Sequence, residues 1–339
     1  MDFALTETQA ELKAAARTYL ADRYPTWRIA ELSDSAGHDL DAWPELARQG
    51  WLDPDIGMVE LGLLAEESGR ALHPAPWWVT VGLALPAYHA AGVALPGPAT
   101  LADGADTCRA VLAGDDWQVD GGVAGVIDAG AATAIVVAAR TGAGVALFCV
   151  QPDTRGVVLT DRTGVDLLRT MSDLSLTGAS ARLLVDSPAA APLHTFIGQR
   201  ATALLACEAV GVAGRALELA VEHAKTRVQF DRPIGSYQAI AHQLADCYVE
   251  VELARSLAYR AAAVLADPAQ DADEPLACAV HAGLRAASCA CETAMQVFGG
   301  IGVTWEHPLH RWYRRALWLA AWHAGRPDSL ATLAGVMLR

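Results

Sequence analysis

The chain has 339 residues, 53% of them hydrophobic, and a net charge of −14. That length can bury one large core or two to three smaller ones, and the acidic balance excludes a nucleic-acid partner or an anionic membrane surface, both of which want a basic face. No apolar run approaches the ~20 residues of a membrane span. The N-terminus has no basic n-region, and the seven cysteines are scattered without a C-x-x-C. A cytoplasmic protein with reduced thiols and no metal centre is therefore expected.

In chain order, residues 1–95 read as an N-terminal helical domain. Thr6 and Glu7 open a helix with a stripe of Leu5, Leu12, Ala16 and Leu20. Trp43–Trp51 is a second, short helix ending at Gly50. Val59–Leu72 is a third, with Leu61, Leu64, Ala65 and Ser68 on one side and Glu60, Glu66, Glu67 and Arg70 on another. His73-Pro74-Ala75-Pro76 ends it, and Trp77-Trp78 opens a helix towards Ala91.

Residues 96–187 change texture. Glycine becomes frequent, and Trp117–Val119, Ala132–Ala139, Val145–Val150, Val157–Thr160 and Ala181–Val185 are predicted strands. Short turns between them imply an antiparallel β domain. Ser187–Pro192 reads as a linker.

Residues 193–339 are then nearly all helix, over Phe196–Arg227, Tyr237–Ala266, Pro275–Val297, Leu309–His323 and Pro327–Leu338. Arg311, Arg314 and Arg315 read as a solvated or interface face. His307 and His310 are three apart but have no third metal ligand in sight.

The stretch Lys225–Gln238, K-T-R-V-Q-F-D-R-P-I-G-S-Y-Q, sits between two of these helices, with Pro233 and Gly235 stopping one before the next begins. It presents Arg227, Phe230, Arg232 and Gln238 at a helix–helix corner. A cation, an aromatic face and an amide suit an anionic ligand with a planar ring, such as a dinucleotide. An ordinary αα-hairpin turn with a solvated charge cluster is the plain alternative. Further on, Gln296 precedes Gly299-Gly300-x-Gly302, where backbone can approach a pyrophosphate closely.

Taken together, R-x-x-F-x-x-P-I-x-x-x-Q and Q-V-F-G-G-I-G-V-T-W-E-H-P-L-H-R-W-Y-R-R-A resemble the C-terminal domain of the acyl-CoA dehydrogenase family. W-P-E-L-A-R-Q-G-W-L and V-E-L-G-L-L-A-E-E-S-G-R-A-L resemble its N-terminal domain. The resemblance implies a mostly helical α+β fold: N-terminal helices, a reduced middle antiparallel β-barrel and a C-terminal helical bundle. It implies FAD as cofactor, an acyl-CoA substrate and electron transfer flavoprotein as acceptor. Arg227, Phe230, Gln238, Gln296 and Gly300 would touch an FAD held mainly by a neighbouring subunit.

Three departures stand out. The glycine-rich loop of the N-terminal domain is reduced to Asp53–Met58. The barrel lacks the family's T-x-P-x-x-G-S-D flavin-binding stretch. The family's catalytic glutamate is missing at both of its places. One place, 24 residues beyond Gly299, is His323, and the other, ten residues before Gly211, is Ala201. His323 is then one candidate base, since imidazole titrates in the useful range. Glu208 is another, although it lies about 10 Å along the helix from Ala201.

The remaining expectation is that a paralogous acyl-CoA dehydrogenase subunit supplies the base. Some actinobacterial members of the family work as α2β2 heterotetramers in steroid side-chain or unusual acyl-CoA oxidation, with one short, base-lacking subunit. A self-sufficient homo-oligomer using His323 and a flavin-free scaffold are the alternatives.

Overall fold

The computed structural model describes residues 4–35, 37–324 and 329–338. Helix α1 (Glu7–Arg23) begins in a capping box: Thr6 Oγ1 accepts from the Gln9 amide, and the Gln9 side chain accepts from the Thr6 amide. α2 (Thr26–Ser33) follows Pro25, and α3 (Trp43–Arg48) is a short helix. α4 (Met58–Ala71) stops at Leu72, which takes the left-handed conformation. α5 (Trp77–Val79) passes through a π-turn, Thr80–Ala84, into α6 (Leu85–Ala90). Pro86 cannot donate to the preceding turn, and the wider π-turn carries the chain past it.

Seven strands follow: β1 (Ala99–Asp103), β2 (Cys108–Ala113), β3 (Asp116–Ile127), β4 (Ala134–Thr141), β5 (Gly144–Val150), β6 (Val157–Arg162) and β7 (Met171–Val185). α7 (Ala190–Thr226) leads to a two-stranded hairpin, β8 (Val228–Gln229) and β9 (Arg232–Pro233). α8 (Gln238–Leu265), α9 (Asp273–Phe298), a 3-10 turn over Gly299–Val303, α10 (Leu309–Ala324) and α11 (Ser329–Met337) complete the chain. The linker expected up to Pro192 is instead partly helix. α7 starts at Ala190, and a proline in the first turn has no intrahelical donor to lose. The expected start of the last helix, Pro327, lies outside the described residues.

The chain divides into two compact units: Met1–Asp34 with Gly57–His73 and Thr202–Arg339, and Ser35–Ile56 with Pro74–Ala201. In the second unit, β4, β2, β3, β7 and β5 pair in turn, and β5 pairs back onto β4, which closes a barrel. β1 adds to β4, and β6 to β7. Val119, Ile135, Val137, Phe148, Leu174 and Leu176 fill it. The pairings are antiparallel except β1–β4 and the single β2–β4 bridge at Arg109 and Arg140, which are parallel. No tight turn joins those strands, so nothing forces the antiparallel sense. Outside the barrel in this unit, buried Arg200 donates from Nε to the Val81 carbonyl of the π-turn at 2.8 Å. Burial lowers its pKa to about 10.

The first unit is helical, and α4 sits at its centre with a buried charged side. Glu66 Oε1 receives Lys13 Nζ at 2.9 Å and Arg255 Nε at 3.0 Å, and its other oxygen accepts from the Tyr259 hydroxyl. Glu67 takes the Arg17 fork at 2.9 and 2.8 Å. Burial alone would raise the Glu66 pKa, but the facing cations Lys13 and Arg255 hold it below the ordinary value. Two glycines permit the packing. A Cβ on Gly211 would stand 1.8 Å from the Glu66 carbonyl oxygen, and one on Gly69 2.2 Å from that of Glu208.

Candidate functional site

The end of α7 turns back through a tight hairpin. Phe230 and Asp231 occupy its two corner positions at φ of 52° and 63°. Two successive positive φ values are those of a type I′ turn, which normally selects Asn-Gly. The sequence gives a phenylalanine and an aspartate instead, so the backbone is held in a costly conformation. Three contacts hold it. The Ile234 amide donates to the Arg227 carbonyl at 2.8 Å, the Tyr237 hydroxyl donates to the Gln229 carbonyl at 3.1 Å, and Arg232 lies 3.9 Å over the Tyr237 ring. Sequence pattern predicts only a plain loop here, because a two-residue strand has too little periodicity to be seen.

The strained turn projects Phe230 into solvent at 88% exposure. Arg227 is also exposed, and its guanidinium makes no hydrogen bond or ion pair among the described residues. Gln238, the first residue of α8, and Gln296, in the last turns of α9, are exposed as well. α9 ends at Gly299 with φ +63°, and a Cβ on Gly300 would meet nothing within 4 Å, so the backbone there is open to approach.

The two motifs are linked by a stack that sequence spacing does not reveal. His223, one turn before Arg227, packs on Phe298 with ring centroids 4.3 Å apart, and His307 packs on Phe298 at 4.2 Å. Burial, then the Arg227 charge, lowers the His223 pKa; burial, then His223, lowers that of His307. Both rings are therefore neutral near pH 7 and pack as apolar plates. The available signal was a histidine one helical turn before the first motif and another inside the second. His307 and His310, three apart and without a third metal ligand in the sequence, each go to an aromatic partner, Phe298 and Trp305.

The exposed donors and open glycine backbone of this corner fit a planar, phosphate-bearing cofactor such as FAD. At the two family positions of the base, Ala201 is fully buried, and His323 is half-buried in the last turn of α10. Glu208 is committed elsewhere. Its Oε1 accepts from Arg315 Nη1 at 2.6 Å, with the two side chains 1% and 0% exposed. Arg311, Arg314 and Arg315, expected as a solvated or interface face, are not a solvated run, since Arg315 is wholly buried and Arg311 nearly so. Pairing with Glu208 of α7 accommodates the charge of Arg315, and a run of like charges does not reveal it.

Residues 195–326 match the family described as acyl-CoA dehydrogenase, C-terminal domain. The acyl-CoA dehydrogenase IpdE2 of Mycobacterium tuberculosis is 31% identical over 299 residues, covering 85% of this chain and 83% of the relative. The chain belongs to the acyl-CoA dehydrogenase family. Members of that family are flavin-dependent oxidoreductases that bind FAD. Among solved structures, the ChsE4-ChsE5 complex from Mycobacterium tuberculosis matches at 26% identity, over 99% of this chain and 98% of its own, with a TM-score of 0.85. A Tcur3481-Tcur3483 steroid acyl-CoA dehydrogenase variant matches at 28% identity, over 98% of each chain, also with a TM-score of 0.85. The helical regions and barrel of this chain are thus those of the acyl-CoA dehydrogenase fold. Among the described residues, no helix is long and apolar enough to cross a membrane.

Proposed function

We propose that this acyl-CoA dehydrogenase chain is the smaller, base-lacking subunit of a heteromeric enzyme. It would lend Arg227, Phe230, Gln238, Gln296 and Gly300 to an FAD held mainly by a paralogous partner, which supplies the glutamate. The observation that carries this reading is the chemistry at residues 201 and 323, a buried methyl group and an imidazole where a carboxylate is needed. The heteromeric character of the ChsE4-ChsE5 relative supports it. So does an apolar groove on the C-terminal helices, with Tyr248 and Val249 exposed at its rim. Leu217, Val221, Leu244, Tyr248 and Val249 line a groove of about 600 Å³ between α7 and α8, and Ile301 and Val303 stand exposed beside Gly300.

The reaction would be α,β-dehydrogenation of an acyl-CoA thioester, in which FAD supplies the hydride acceptor. Arg227 would neutralise phosphate charge, Gly300 would let backbone come close, and Phe230 would cover a ring face. Lipid or steroid acyl groups would be the substrate class, and the Tcur3481-Tcur3483 relative is a steroid acyl-CoA dehydrogenase. The assembly would be a cytoplasmic heterotetramer passing electrons to electron transfer flavoprotein.

The half-buried imidazole of His323 favours a second reading, a self-sufficient homo-oligomer with His323 as base. Dehydrogenation assayed on the chain alone and co-expressed with a paralogous subunit separates the two. Activity only with the partner, unchanged in His323→Ala, supports the shared site. Activity alone that His323→Ala abolishes overturns it.

A further inference from the structure

Three groups pack on Phe298. His223 stacks on its ring at an interplanar angle of 28°, and His307 lies tilted against it at 50°. The glycine turn folds back onto it, so that a Cβ on Gly302 would stand 2.9 Å from the Phe298 Cβ. The stack leads directly to both halves of the exposed corner. The His223 carbonyl accepts from the Arg227 amide at 2.8 Å, the bond that closes α7 before the hairpin. Phe298 is followed at once by Gly299 and the open Gly300. The position of Arg227 relative to the Gly300 backbone is therefore set through these rings.

The packing holds only while both rings are neutral. Neither ring makes an ion pair with a carboxylate among the described residues. The groups that face them are cations or become cations: Arg227 from α7 beside His223, then His223 itself and His310 of α10 beside His307. His307 carries a further constraint. Its Nδ1 accepts from the amide of Leu309, the first residue of α10, at 3.3 Å. A proton on Nδ1 would break that bond and set a charge at the positive end of the helix dipole. Unstacking returns the rings to water, where imidazole titrates at its ordinary value of 6.5. The unstacked form then takes up protons that the stacked form rejects. Neutral pH favours stacking, and the preference is lost as pH falls below 6.5.

We propose that His223 and His307 are positioning residues of the cofactor corner and make it pH-sensitive. As neutral rings they clamp Phe298 and hold Arg227 and the Gly300 backbone in register. Protonation opens the clamp and weakens flavin binding. This rests on the reading of the Arg227 corner as part of an FAD site.

The test is titration of FAD into the deflavinated, assembled enzyme at about pH 7.5 and about pH 5.5, on either side of the imidazole value. Hydrogen exchange at the end of α7 is followed in parallel and corrected for its intrinsic pH dependence. Wild-type affinity should fall about tenfold at the lower pH, while exchange at the Arg227 amide quickens. His223→Phe with His307→Phe keeps two planar rings but no titratable nitrogen, and should abolish both changes. The His223 side chain makes no hydrogen bond among the described residues, so His223→Phe alone serves where the double variant fails to fold, and should reduce both changes. His223→Ala should weaken FAD binding about tenfold at the higher pH, and His223→Phe should restore it. A wild-type affinity that does not change with pH overturns the proposal. So does a wild-type pH dependence retained in the phenylalanine variants; if Arg227→Ala still lowers affinity there, the FAD site itself stands. Unchanged affinity in Arg227→Ala overturns the reading of the corner, and the proposal with it.

Discussion

Two regions of the same helical unit treat polar side chains in opposite ways. Around α4, each buried carboxylate is matched: Glu66 by Lys13, Arg255 and Tyr259, Glu67 by Arg17, and Glu208 by Arg315. At the corner where α7 ends, Arg227, Phe230, Gln238 and Gln296 face solvent, and the turn that carries Phe230 is strained. The first pattern is what folding requires of buried charge. The second contributes little to folding and has a physical rationale only if something outside the chain completes it.

The comparison breaks most visibly at the buried pair. Arg315→Met should leave the Glu208 carboxylate buried without its cation and cost about 3–5 kcal/mol, read by urea unfolding. An effect below about 1 kcal/mol would mean the interior pairs are not structural. Arg227→Ala should do the reverse. Stability should stay within about 0.5 kcal/mol of wild type, while flavin retention in the assembled enzyme falls about 10- to 100-fold, as for a lost charged hydrogen bond.

A smaller effect follows from pH. A carboxylate whose folded pKa is depressed adds stability above its unfolded pKa and loses it as pH falls through the folded value. Glu66 is such a group, with an ordinary value of 4.5. Wild type should therefore lose stability on acidification below about pH 4.5, and Glu66→Gln should flatten that slope in unfolding curves. Smallest is Asp231→Gly, which places glycine at a positive φ and should raise stability by about 0.5–1 kcal/mol. No gain in melting temperature would show that the turn is not strained.

Sequence periodicity revealed the long helices α1, α4 and α7–α10 to within a few residues, save the start of α7, which lies at Ala190 and not at the expected Phe196, because their apolar spacing is regular and Gly, Pro and capping residues mark their ends. It missed α2, which is short, and the first two strands, which are brief and alanine-rich. Only the last five residues of β7 were seen. The rest, Met171–Ser180, is rich in serine and polar outward positions, although Ser172, Leu174 and Leu176 alternate into the core and Ala179 is buried beyond them. The missing glutamate was legible outright, since residue identity at a fixed spacing needs no structure. The His223–Phe298–His307 stack and the burial of Arg311 were not, because both join residues that only the helix packing brings together.

The most direct test of a shared flavin site is the visible absorption spectrum of the chain purified alone, set beside that of the chain co-purified with a candidate paralogous subunit. The account predicts colourless protein alone and a yellow, active complex with the partner. A flavin band in a stable oligomer of this chain by itself would contradict it.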